Sequence, residues 1–469
     1  MTGRNRVRVK DIAKVCGGKI LCGDPEAEIA NITTSSLEIK GEDLFVPIVG
    51  ERTDGHKYIQ NALRDGAAAS LSERDDILSE KPVIRVESSV EALLRIGGWY
   101  RRKYLSMPVI GVTGSVGKTT TREMIATALS AEKKVYSTKK NLNSQVGVPM
   151  TVFEADTAAD ICVLELGMSE FHEMEKISET AQPTDAVITN IGVCHIMNLG
   201  TQENILKEKL KILTGMPSPA RLLLNGDDPI LREMTEEKIH SFGIAEEKEI
   251  HILFYGTGEN ARFIAKDIVT SEEGKTFVFA DRDTGKEQPV SLSVLADFMV
   301  MNAVCALAEA CLHDVDLSEA AGKLKSFTGL SGRGEILQKN GYRVIDDCYN
   351  AAPATMKGAL KTLSDMKVSG RRIACLADML ETGELEKDYH REVGSYLAGL
   401  KEPPAELFLY GTLSRLIGEA AGKAGYRGTV RCYGKEEFDL LKKDVYDSVK
   451  EGDVLLLKGS NSMDLKRLL

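Results

Sequence analysis

Residues 110–120 read IGVTGSVGKTT, an apolar run typical of a buried strand that ends in a glycine-rich turn and a lysine. The turn resembles the phosphate-binding pattern G-x-x-x-x-G-K-[ST]. The glycines that bracket it are Gly111, Gly114 and Gly117. A loop without side-chain bulk lets successive backbone N–H groups face a phosphate. Because Lys118 can reach the outer phosphates and the Thr119 hydroxyl can bind Mg²⁺, the stretch predicts a phosphate and magnesium site at the start of a helix.

The composition is that of a large globular protein. A chain of 469 residues is too long for a single core, so we expect two to four domains. The 60 basic and 70 acidic residues give a net charge of −10, which argues against a nucleic-acid-binding face or a polybasic membrane patch. No apolar run reaches the ~18–20 residues that a membrane-spanning helix needs. We therefore expect small-molecule partners, no nucleic acid and no membrane insertion.

The nine cysteines are scattered along the chain and contain no C-x-x-C pair. Several lie inside apolar runs, such as Cys162 in ICVLEL and Cys375 in RIACLAD. This pattern is typical of small buried side chains in a reducing compartment rather than of a disulfide framework. The sequence thus favours a cytoplasmic protein with free cysteines.

The order of predicted strands and helices indicates three α/β domains, at residues 1–106, 107–326 and 327–469. The first contains short strands and ends in the helical stretch SVEALLRIGGWYRRKYL. In the second, continuous apolar strands alternate with helical patterns, which is typical of a parallel sheet covered on both faces. An antiparallel hairpin is expected within residues 260–293. A linker around FTGLSGRGE leads to the third domain, a smaller doubly wound α/β unit.

Polar residues follow several of these strands. Glu165 ends the strand DICVLELG, where a phosphate-loop protein holds a second ligand for Mg²⁺. His195 follows another strand, although a lone histidine there is more often structural. Lys209 lies in NILKEKLKIL, whose spacing alone indicates a solvated helix face. Arg333 could reach a phosphate and Asp347 could hold a ribose or a metal, which the residues alone leave open.

Taken together, these stretches resemble the Mur ligase family over nearly the whole chain. The matching stretches include GVTGSVGKTTTREMI, NLNSQVGVP, LELGMSEFHEM, TNIGVCHIMNLGT, LNGDDP, GRGEI, IDDCYNAAPATM and LLLKGS. DLFVPIVGERTDGHKYI, the YNxxP stretch and DMLE are most similar to the branch that adds D-Ala-D-Ala. The resemblance implies that ATP phosphorylates the terminal carboxylate of a UDP-linked muramyl tripeptide, and that the amine of D-Ala-D-Ala then displaces phosphate from the acyl phosphate. It also implies a monomer.

The resemblance implies a role for individual residues. The N-terminal domain with its linker helix would bind the UDP-linked substrate, the central domain ATP, and a Rossmann-like C-terminal domain would close over both. The ATP contacts would be Gly114, Ser115, Val116, Gly117, Lys118, Thr119, Thr120, Asn302 at the adenine, Asp347 at the ribose and Arg333 at the phosphates. The ligands of two Mg²⁺ ions would be Thr119 and Glu165, and His195 with a carbamylated Lys209. The catalytic residues would be Lys118, Lys209, His195 and Arg333. The residues at the two other substrates would be Ser35, Ser36, Asn141, Asn143, Asn350 and Pro353.

The chain departs from the family pattern at a few positions. Ser35, Ser36 and Leu37 stand where Asp-Ser-Arg is common, Met197 and Lys211 where glutamates are usual, and Ala352 where a second asparagine is common. Two alternatives therefore stay open: a paralogue joining other amino acids to other carboxylates, as folylpolyglutamate and cyanophycin synthetases do, or an ATP-binding relative that does not ligate. A nucleotide-driven switch or motor is disfavoured, because it would have no use for Lys209 or for an arginine from a further domain.

Overall fold

The computed structural model describes residues 5–50, 53–271 and 273–469. Three α/β units follow one another, each with its own main sheet, which confirms the predicted fold class. The exact boundaries between the units stay predictions. None of the helices among the described residues is both long and apolar enough to cross a bilayer.

The N-terminal unit consists of short strands and helices. They are β1 (Val7–Arg8), α1 (Val9–Cys16), β2 (Lys19–Cys22), β3 (Glu28–Ile29), β4 (Asn31–Thr33), β5 (Asp43–Phe45), α2 (Ile59–Arg64), β6 (Ala69–Ser72), β7 (Val83–Arg85) and α3 (Ser89–Tyr104). The sheet has the order β2-β7-β6-β5-β4 and is parallel except at β2, while β1 and β3 form a separate antiparallel pair.

Helix α3 joins this unit firmly to the next one. The Ser88 hydroxyl caps its first turn by accepting from the Glu91 backbone N–H at 3.3 Å. Its outer face is tied to the central unit, where Arg101 Nε donates to the Ala181 carbonyl at 3.1 Å and Glu91 pairs with Lys176 at 2.6 Å. The predicted helical stretch at the end of the first domain is confirmed, and it is packed as part of the central core.

The central unit carries a nine-stranded sheet. Its elements are β8 (Val109–Thr113), α4 (Lys118–Leu129), β9 (Val135–Ser137), α5 (Gly147–Phe153), β10 (Ile161–Glu165), α6 (Glu173–Ala181), β11 (Asp185–Ile188), α7 (Ile196–Leu199), α8 (Gln202–Leu210), β12 (Ala220–Asn225), α9 (Glu236–Ser241), β13 (Ile250–Gly256), β14 (Phe263–Thr270), β15 (Lys275–Asp281), β16 (Lys286–Leu292), α10 (Phe298–Leu312) and α11 (Leu317–Lys325).

The strand order of the central sheet is β16-β15-β14-β13-β12-β11-β8-β10-β9. Strands β8 to β13 are parallel, and helices on both faces cover their continuous apolar runs, as predicted. The expected hairpin is instead a meander of three strands, in which β14 runs parallel to β13 and antiparallel to β15. The appended segment therefore extends the main sheet.

The C-terminal unit is a six-stranded sheet in which only the first strand is antiparallel to its neighbour. Its elements are β17 (Glu335–Lys339), β18 (Tyr342–Asp347), α12 (Pro353–Asp365), β19 (Arg372–Ala377), α13 (Glu386–Ala398), β20 (Glu406–Tyr410), α14 (Arg415–Lys423), β21 (Thr429–Tyr433), α15 (Phe438–Ser448) and β22 (Val454–Lys458). The strand order is β17-β18-β22-β19-β20-β21.

The apolar cores divide the chain differently from the sheets. One continuous cluster of buried side chains runs from Val7 in the N-terminal unit to Ile250 in the central unit. A second cluster fills the other face of the central sheet, around α4 and α10. The C-terminal unit has two clusters of its own, one on each face of its sheet.

All nine cysteines are free, as predicted. Five of them are fully buried, whereas Cys432 lies exposed on the edge strand β21. Burial raises the pKa of the Cys162 thiol to about 12, so this residue behaves as a small core side chain.

Candidate active site

The glycine-rich turn joins the end of β8 to the start of α4. Gly114 and Gly117 have φ values of 148° and 84°, a region that favours glycine. A Cβ atom at Gly114 would lie 2.0 Å from the Thr189 hydroxyl oxygen, so the close approach of two backbones requires glycine there. Gly111 is not part of the turn, contrary to the sequence prediction. It lies inside β8, which continues to Thr113. The first position of G-x-x-x-x-G-K falls on Val112, so the turn itself reads G-x-x-G-K from Gly114 to Lys118.

The segment after β11 holds the turn in place. Asn190 Oδ1 accepts from the Val116 backbone N–H at 3.0 Å, and Asn190 Nδ2 donates to the Val116 carbonyl at 2.9 Å. The Asn190 carbonyl also accepts from the Ser115 N–H at 3.0 Å. The Ser115 hydroxyl accepts from the Gly192 N–H at 2.8 Å. Sequence reasoning gave Asn190 no role, although its position just after a parallel strand was the available signal.

The Lys118 ammonium lies over the turn. Its Nζ donates to the Gly114 carbonyl at 2.7 Å and to the Ser115 carbonyl at 3.3 Å. Burial lowers the pKa of Lys118, and the nearby Glu165 carboxylate partly offsets this effect. The amine is thus positioned at the mouth of a loop whose N–H groups and helix dipole favour an anion.

Glu165 ends β10 directly beside the turn, since it is paired with Val112 of β8. It is only 2 % exposed. Its Oε1 accepts from Asn143 Nδ2 at 2.7 Å, and its Oε2 lies 3.7 Å from Arg122 Nη1 without a hydrogen bond among the described residues. A buried carboxylate oxygen without a hydrogen-bond donor, beside a threonine at the first turn of α4, fits a Mg²⁺ ligand.

A cavity of about 510 Å³ lies between the central and C-terminal units. Its volume is in the range of small-molecule sites. The predicted residues that line it are Ser115, Val116, Gly117, Lys118, Thr119, Thr120, Asn143, Glu165, Asn302, Arg333, Asp347 and Asn350. A larger cleft of about 1150 Å³ between the same units, around Arg343 and Arg372, contains none of the predicted residues. The smaller cavity is therefore the candidate active site.

The C-terminal unit contributes a charged wall to this cavity. The Arg333 guanidinium carbon lies 4.1 Å from the centre of the Tyr349 ring, which orients the arginine. Asp347 Oδ2 pairs with Lys458 Nζ at 2.7 Å, and Lys458 also donates to the Asn350 carbonyl at 3.0 Å. Burial raises the pKa of Asp347, which Lys458 opposes. Lys458 and Tyr349 have no predicted role, although both lie in stretches that carry the family resemblance.

Asn302 lies on α10 at the other end of the cavity. It is 8 % exposed, and its Oδ1 accepts from the Thr121 hydroxyl at 3.1 Å. Its Nδ2 makes no hydrogen bond within the described chain. A buried amide donor that faces a cavity is suited to a ligand with a ring nitrogen or carbonyl acceptor.

His195 and Lys209 form a second group outside the lining of this cavity. His195 directly precedes α7 and has a φ of 63°, and its Nδ1 lies 3.7 Å from Glu381 Oε2 of the C-terminal unit. Burial, reinforced by Lys118 and Lys209, lowers the pKa of His195 to about 4. The imidazole is therefore neutral at pH 7 and able to bind a metal.

Lys209 is buried, so the expectation of a solvated helix face is wrong for this residue. It is only 1 % exposed. Burial and the charge of Lys118 lower the pKa of Lys209 well below its usual range. The solvated face consists of Lys207, which pairs with Glu203 at 2.6 Å. The i, i+4 spacing could not separate the two, because tertiary packing decides which lysine is covered.

The remaining predicted substrate residues lie apart from the cavity. Ser35 and Ser36 follow β4 in the N-terminal unit, and the neighbouring Leu37 is 95 % exposed. Asn141 is exposed on the loop after β9, and Pro353 is the buried first residue of α12. None of these four lines the 510 Å³ cavity, and their contacts with substrates stay predictions.

Comparison with known families covers most of the chain. Residues 112–310 match the Mur ligase middle domain, residues 332–461 the Mur ligase glutamate ligase domain, and residues 28–102 the Mur ligase catalytic domain family. A curated relative from Bacillus subtilis, UDP-N-acetylmuramoyl-tripeptide–D-alanyl-D-alanine ligase, is 33 % identical over 98 % of this chain and 97 % of its own length. The chain belongs to the Mur ligase family.

Solved structures of other Mur ligases share the whole architecture. MurF from Acinetobacter baumannii superposes with a TM-score of 0.87 at 26 % identity, covering 99 % of this chain and 98 % of that one. MurF ligase from Thermotoga maritima in complex with ADP gives a TM-score of 0.79 at 27 % identity over 93 % of this chain and 96 % of that one. The resemblance read from the sequence motifs is confirmed, and so is the three-domain fold that it implied.

Proposed function

We propose that this Mur ligase is an ATP-dependent, ADP-forming amide ligase that adds D-Ala-D-Ala to UDP-N-acetylmuramoyl-tripeptide, in the synthesis of peptidoglycan precursors. One observation carries the proposal. A cavity of about 510 Å³ brings the phosphate loop and Glu165 together with Arg333 and Asp347 of the C-terminal unit, in a chain that matches such a ligase along 98 % of its length.

The chain's own residues supply what an acyl phosphate route needs. The reaction brings the anionic carboxylate of the tripeptide next to the γ-phosphate of ATP, so cations must offset their repulsion. Lys118 lies over the loop and Arg333 enters from the opposite wall, where both can neutralise charge on the transferred phosphoryl group. Asn302 and Asp347 would hold the adenine and the ribose, as their predicted roles require.

The residues present also fit the predicted Mg²⁺ ions. Glu165 Oε2, which accepts no hydrogen bond among the described residues, and the Thr119 hydroxyl would hold one ion, and His195 with a modified Lys209 would hold a second. Such ions would supply positive charge to the phosphate and carboxylate oxygens. The neutral state of His195 at pH 7 leaves a lone pair for this purpose.

We infer that Lys209 is carbamylated in the active enzyme. The support is its buried ammonium with a lowered pKa, since only the neutral amine reacts with dissolved CO₂. The nitrogen lone pair attacks the carbon of CO₂, the new N–C bond forms, and one proton leaves to solvent, so that the lysine becomes a carboxylate. In ¹³CO₂-equilibrated buffer, wild type should show a carbamate resonance that Lys209→Ala lacks; the same spectrum in both would contradict the inference.

Two further features support a cytoplasmic enzyme. The reaction requires ATP, and the nine cysteines are all free. The monomeric state that the family resemblance implies stays a prediction.

The experiment that tests the function is phosphate release from ATP with UDP-MurNAc-tripeptide and D-Ala-D-Ala, each omitted in turn. We expect release only when both are present, together with a product whose mass equals that of the two substrates joined with loss of water. Release with neither substrate, or none under any condition, would overturn the proposal. Phosphate release with other amino acids and carboxylates, but not with these two substrates, would identify a divergent paralogue. The changed segment Ser35-Ser36-Leu37 would then reflect a different carboxylate substrate.

A further inference from the structure

A second cluster of metal-ligating side chains lies at the opposite edge of the central sheet from the nucleotide cavity. Asp185 is the first residue of β11, whereas the contacts to the phosphate loop come from residues that follow its last one. From its first to its last residue β11 rises about 10 Å, so the two edges of the sheet are about that far apart here. Glu309 and His313 lie one turn apart at the C-terminal end of α10. The cluster is thus separate from the site described above.

The three side chains point at one another. His313 Nε2 lies 3.5 Å from Asp185 Oδ2 and 3.6 Å from Glu309 Oε2. One ligand atom from each residue lies within 4.8 Å of the other two. Asp185 and Glu309 are each 1 % exposed, and the His313 side chain is 10 % exposed. These groups are therefore largely shielded from solvent.

Two of these atoms lack hydrogen bonds, which is unusual for buried polar groups. Among the described residues, neither Glu309 Oε2 nor His313 Nε2 has a hydrogen-bond partner. Burial and the neighbouring Asp185 raise the pKa of Glu309 well above its usual range. A buried carboxylate in this position requires either a proton or a cation to compensate it.

We propose that Asp185, Glu309 and His313 bind a divalent transition-metal ion, with Zn²⁺ as the best match. Zn–N and Zn–O bonds are about 2.0–2.2 Å, so the ligand atoms at a tetrahedral ion are roughly 3.4 Å apart. The measured 3.5 Å and 3.6 Å are close to that separation before any adjustment. One imidazole and two carboxylates form a mixed nitrogen and oxygen set that suits Zn²⁺ better than Mg²⁺ or Ca²⁺. A fourth position would be filled by water.

The neighbouring arginine does not conflict with such an ion. Arg221 pairs through Nε with Asp185 Oδ1 and donates from Nη1 to the Leu312 carbonyl at 3.2 Å. Asp185 Oδ2, the oxygen that lies 3.5 Å from His313 Nε2, accepts from the Thr184 hydroxyl at 2.7 Å and keeps a second lone pair for a metal ion. Two carboxylates carry two negative charges, of which Arg221 offsets one. The guanidinium thereby orients Asp185 so that its other oxygen is directed to the ion, as the outer hydrogen bonds of metal ligands commonly do.

Metal binding to the full-length chain tests this site. The EDTA-treated protein would be titrated with ZnCl₂ by calorimetry, and bound zinc would be counted by mass spectrometry after gel filtration. Wild type should retain one more Zn²⁺ per chain than Glu309→Gln or His313→Gln, with affinity at least ~100-fold weaker in the variants. Zinc binding at this site should raise the Tm of wild type but not the Tm of either variant.

Two controls separate metal binding from folding and from the catalytic centre. Glu319→Gln removes an exposed acid on the neighbouring α11 and should bind zinc as wild type does. Stabilisation by ATP should persist in Glu309→Gln and His313→Gln, which shows that both variants fold. Equal zinc content in wild type and the two variants, or none in wild type, would overturn the proposal and leave a proton as the compensating charge on Glu309. A crystal with zinc should show an anomalous peak among the three side chains.

Discussion

The Lys118 ammonium lies close enough to Lys209 to lower the pKa of that amine. The same charge lowers the pKa of His195, and neither His195 nor Lys209 lines the nucleotide cavity. The positive charge at the phosphate loop and the metal-ligand group are therefore one electrostatic system. Converting Lys209 into a carboxylate would remove one of the two repelling charges and stabilise the other.

At the residue scale, we expect Lys118→Met to lower turnover by about 10²–10³-fold, because it removes a cation from the developing phosphoryl charge while keeping the volume. Phosphate release measures the effect, and circular dichroism checks the fold. Lys207→Met changes a lysine on the surface of α8 that pairs with Glu203, and should keep wild-type turnover. Retained turnover in Lys118→Met would mean that the loop does not hold the transferred phosphate.

His195 should make stability depend on pH. Its folded pKa is about 4 against 6.5 in the unfolded chain, so the unfolded state binds more protons between these values. The contribution of neutral His195 to the free energy of unfolding should be fully present above pH 6.5 and should be lost as the pH decreases towards 4. Over this window wild type should lose roughly 2 kcal/mol more than His195→Gln in denaturant titrations of the metal-free protein. His251→Gln, at an exposed site, should behave as wild type; parallel curves for wild type and His195→Gln would contradict the prediction.

At the scale of elements, the phosphate loop depends on two glycines that serve different purposes. Gly114→Ala combines a φ of 148° with a Cβ only 2.0 Å from the Thr189 hydroxyl, so the β8 and β11 edges must separate. We expect a loss of roughly 3 kcal/mol or more in the free energy of unfolding, and no measurable ATP binding. Gly117→Ala has a φ of 84° but no atom nearer than 4.0 Å, and should lose only about 1–2 kcal/mol. Denaturant melts measure the free energy of unfolding of both variants, and ATP titrations measure their affinity. Similar losses of stability in the two variants would show that backbone strain, and not the contact with Thr189, determines the cost at Gly114.

The elements of the central and C-terminal units could be predicted well because their strands are continuous apolar runs. VIGVT, ICVLE and VLLLK are each buried along their whole length, so sequence and burial agree. The meander at 263–292 was harder, since β14 is both parallel to one neighbour and antiparallel to the other. A single strand carries no sign of which neighbour it will pair with.

Glu165 and Asp347 each end a parallel strand, and the structure places both in the lining of one cavity, although their strands belong to different sheets. Their contacts with ATP and Mg²⁺ stay predictions. Lys458 escaped prediction although it ends β22. A lysine at a strand end is ordinarily solvated, and only the packing of β18 beside β22 buries it against Asp347. The burial of Lys209 has the same origin, in the packing of α8 on the central core.

At the scale of the whole molecule, one carboxylate connects the units that form the cavity. Asp297, just before α10, pairs with Lys275 of the central unit at 2.6 Å and with Lys361 of α12 at 3.0 Å. Lys361 is half-exposed, so the contact contributes little to overall stability. Its effect should instead be on how readily the C-terminal unit docks.

Lys361→Ala should therefore raise the KM for ATP by about two- to fivefold with a smaller change in kcat, corresponding to at most about 1 kcal/mol. The difference from wild type should shrink as salt is added, because partly exposed ion pairs are screened. Lys357→Ala, one turn earlier on α12, breaks a pair with Glu392 inside the C-terminal unit and is the matched control. Equal changes in KM for the two variants would show that docking does not use Asp297.

The distribution of apolar clusters has a consequence for how the molecule unfolds. One apolar cluster spans the N-terminal and central units, whereas the C-terminal unit is filled by two clusters of its own. Heating should accordingly produce two calorimetric transitions, one for the first two units as a cooperative block and one for the C-terminal unit. A nucleotide that touches both walls of the cavity should draw the transitions together, so that the substrate itself makes three domains melt as a single body.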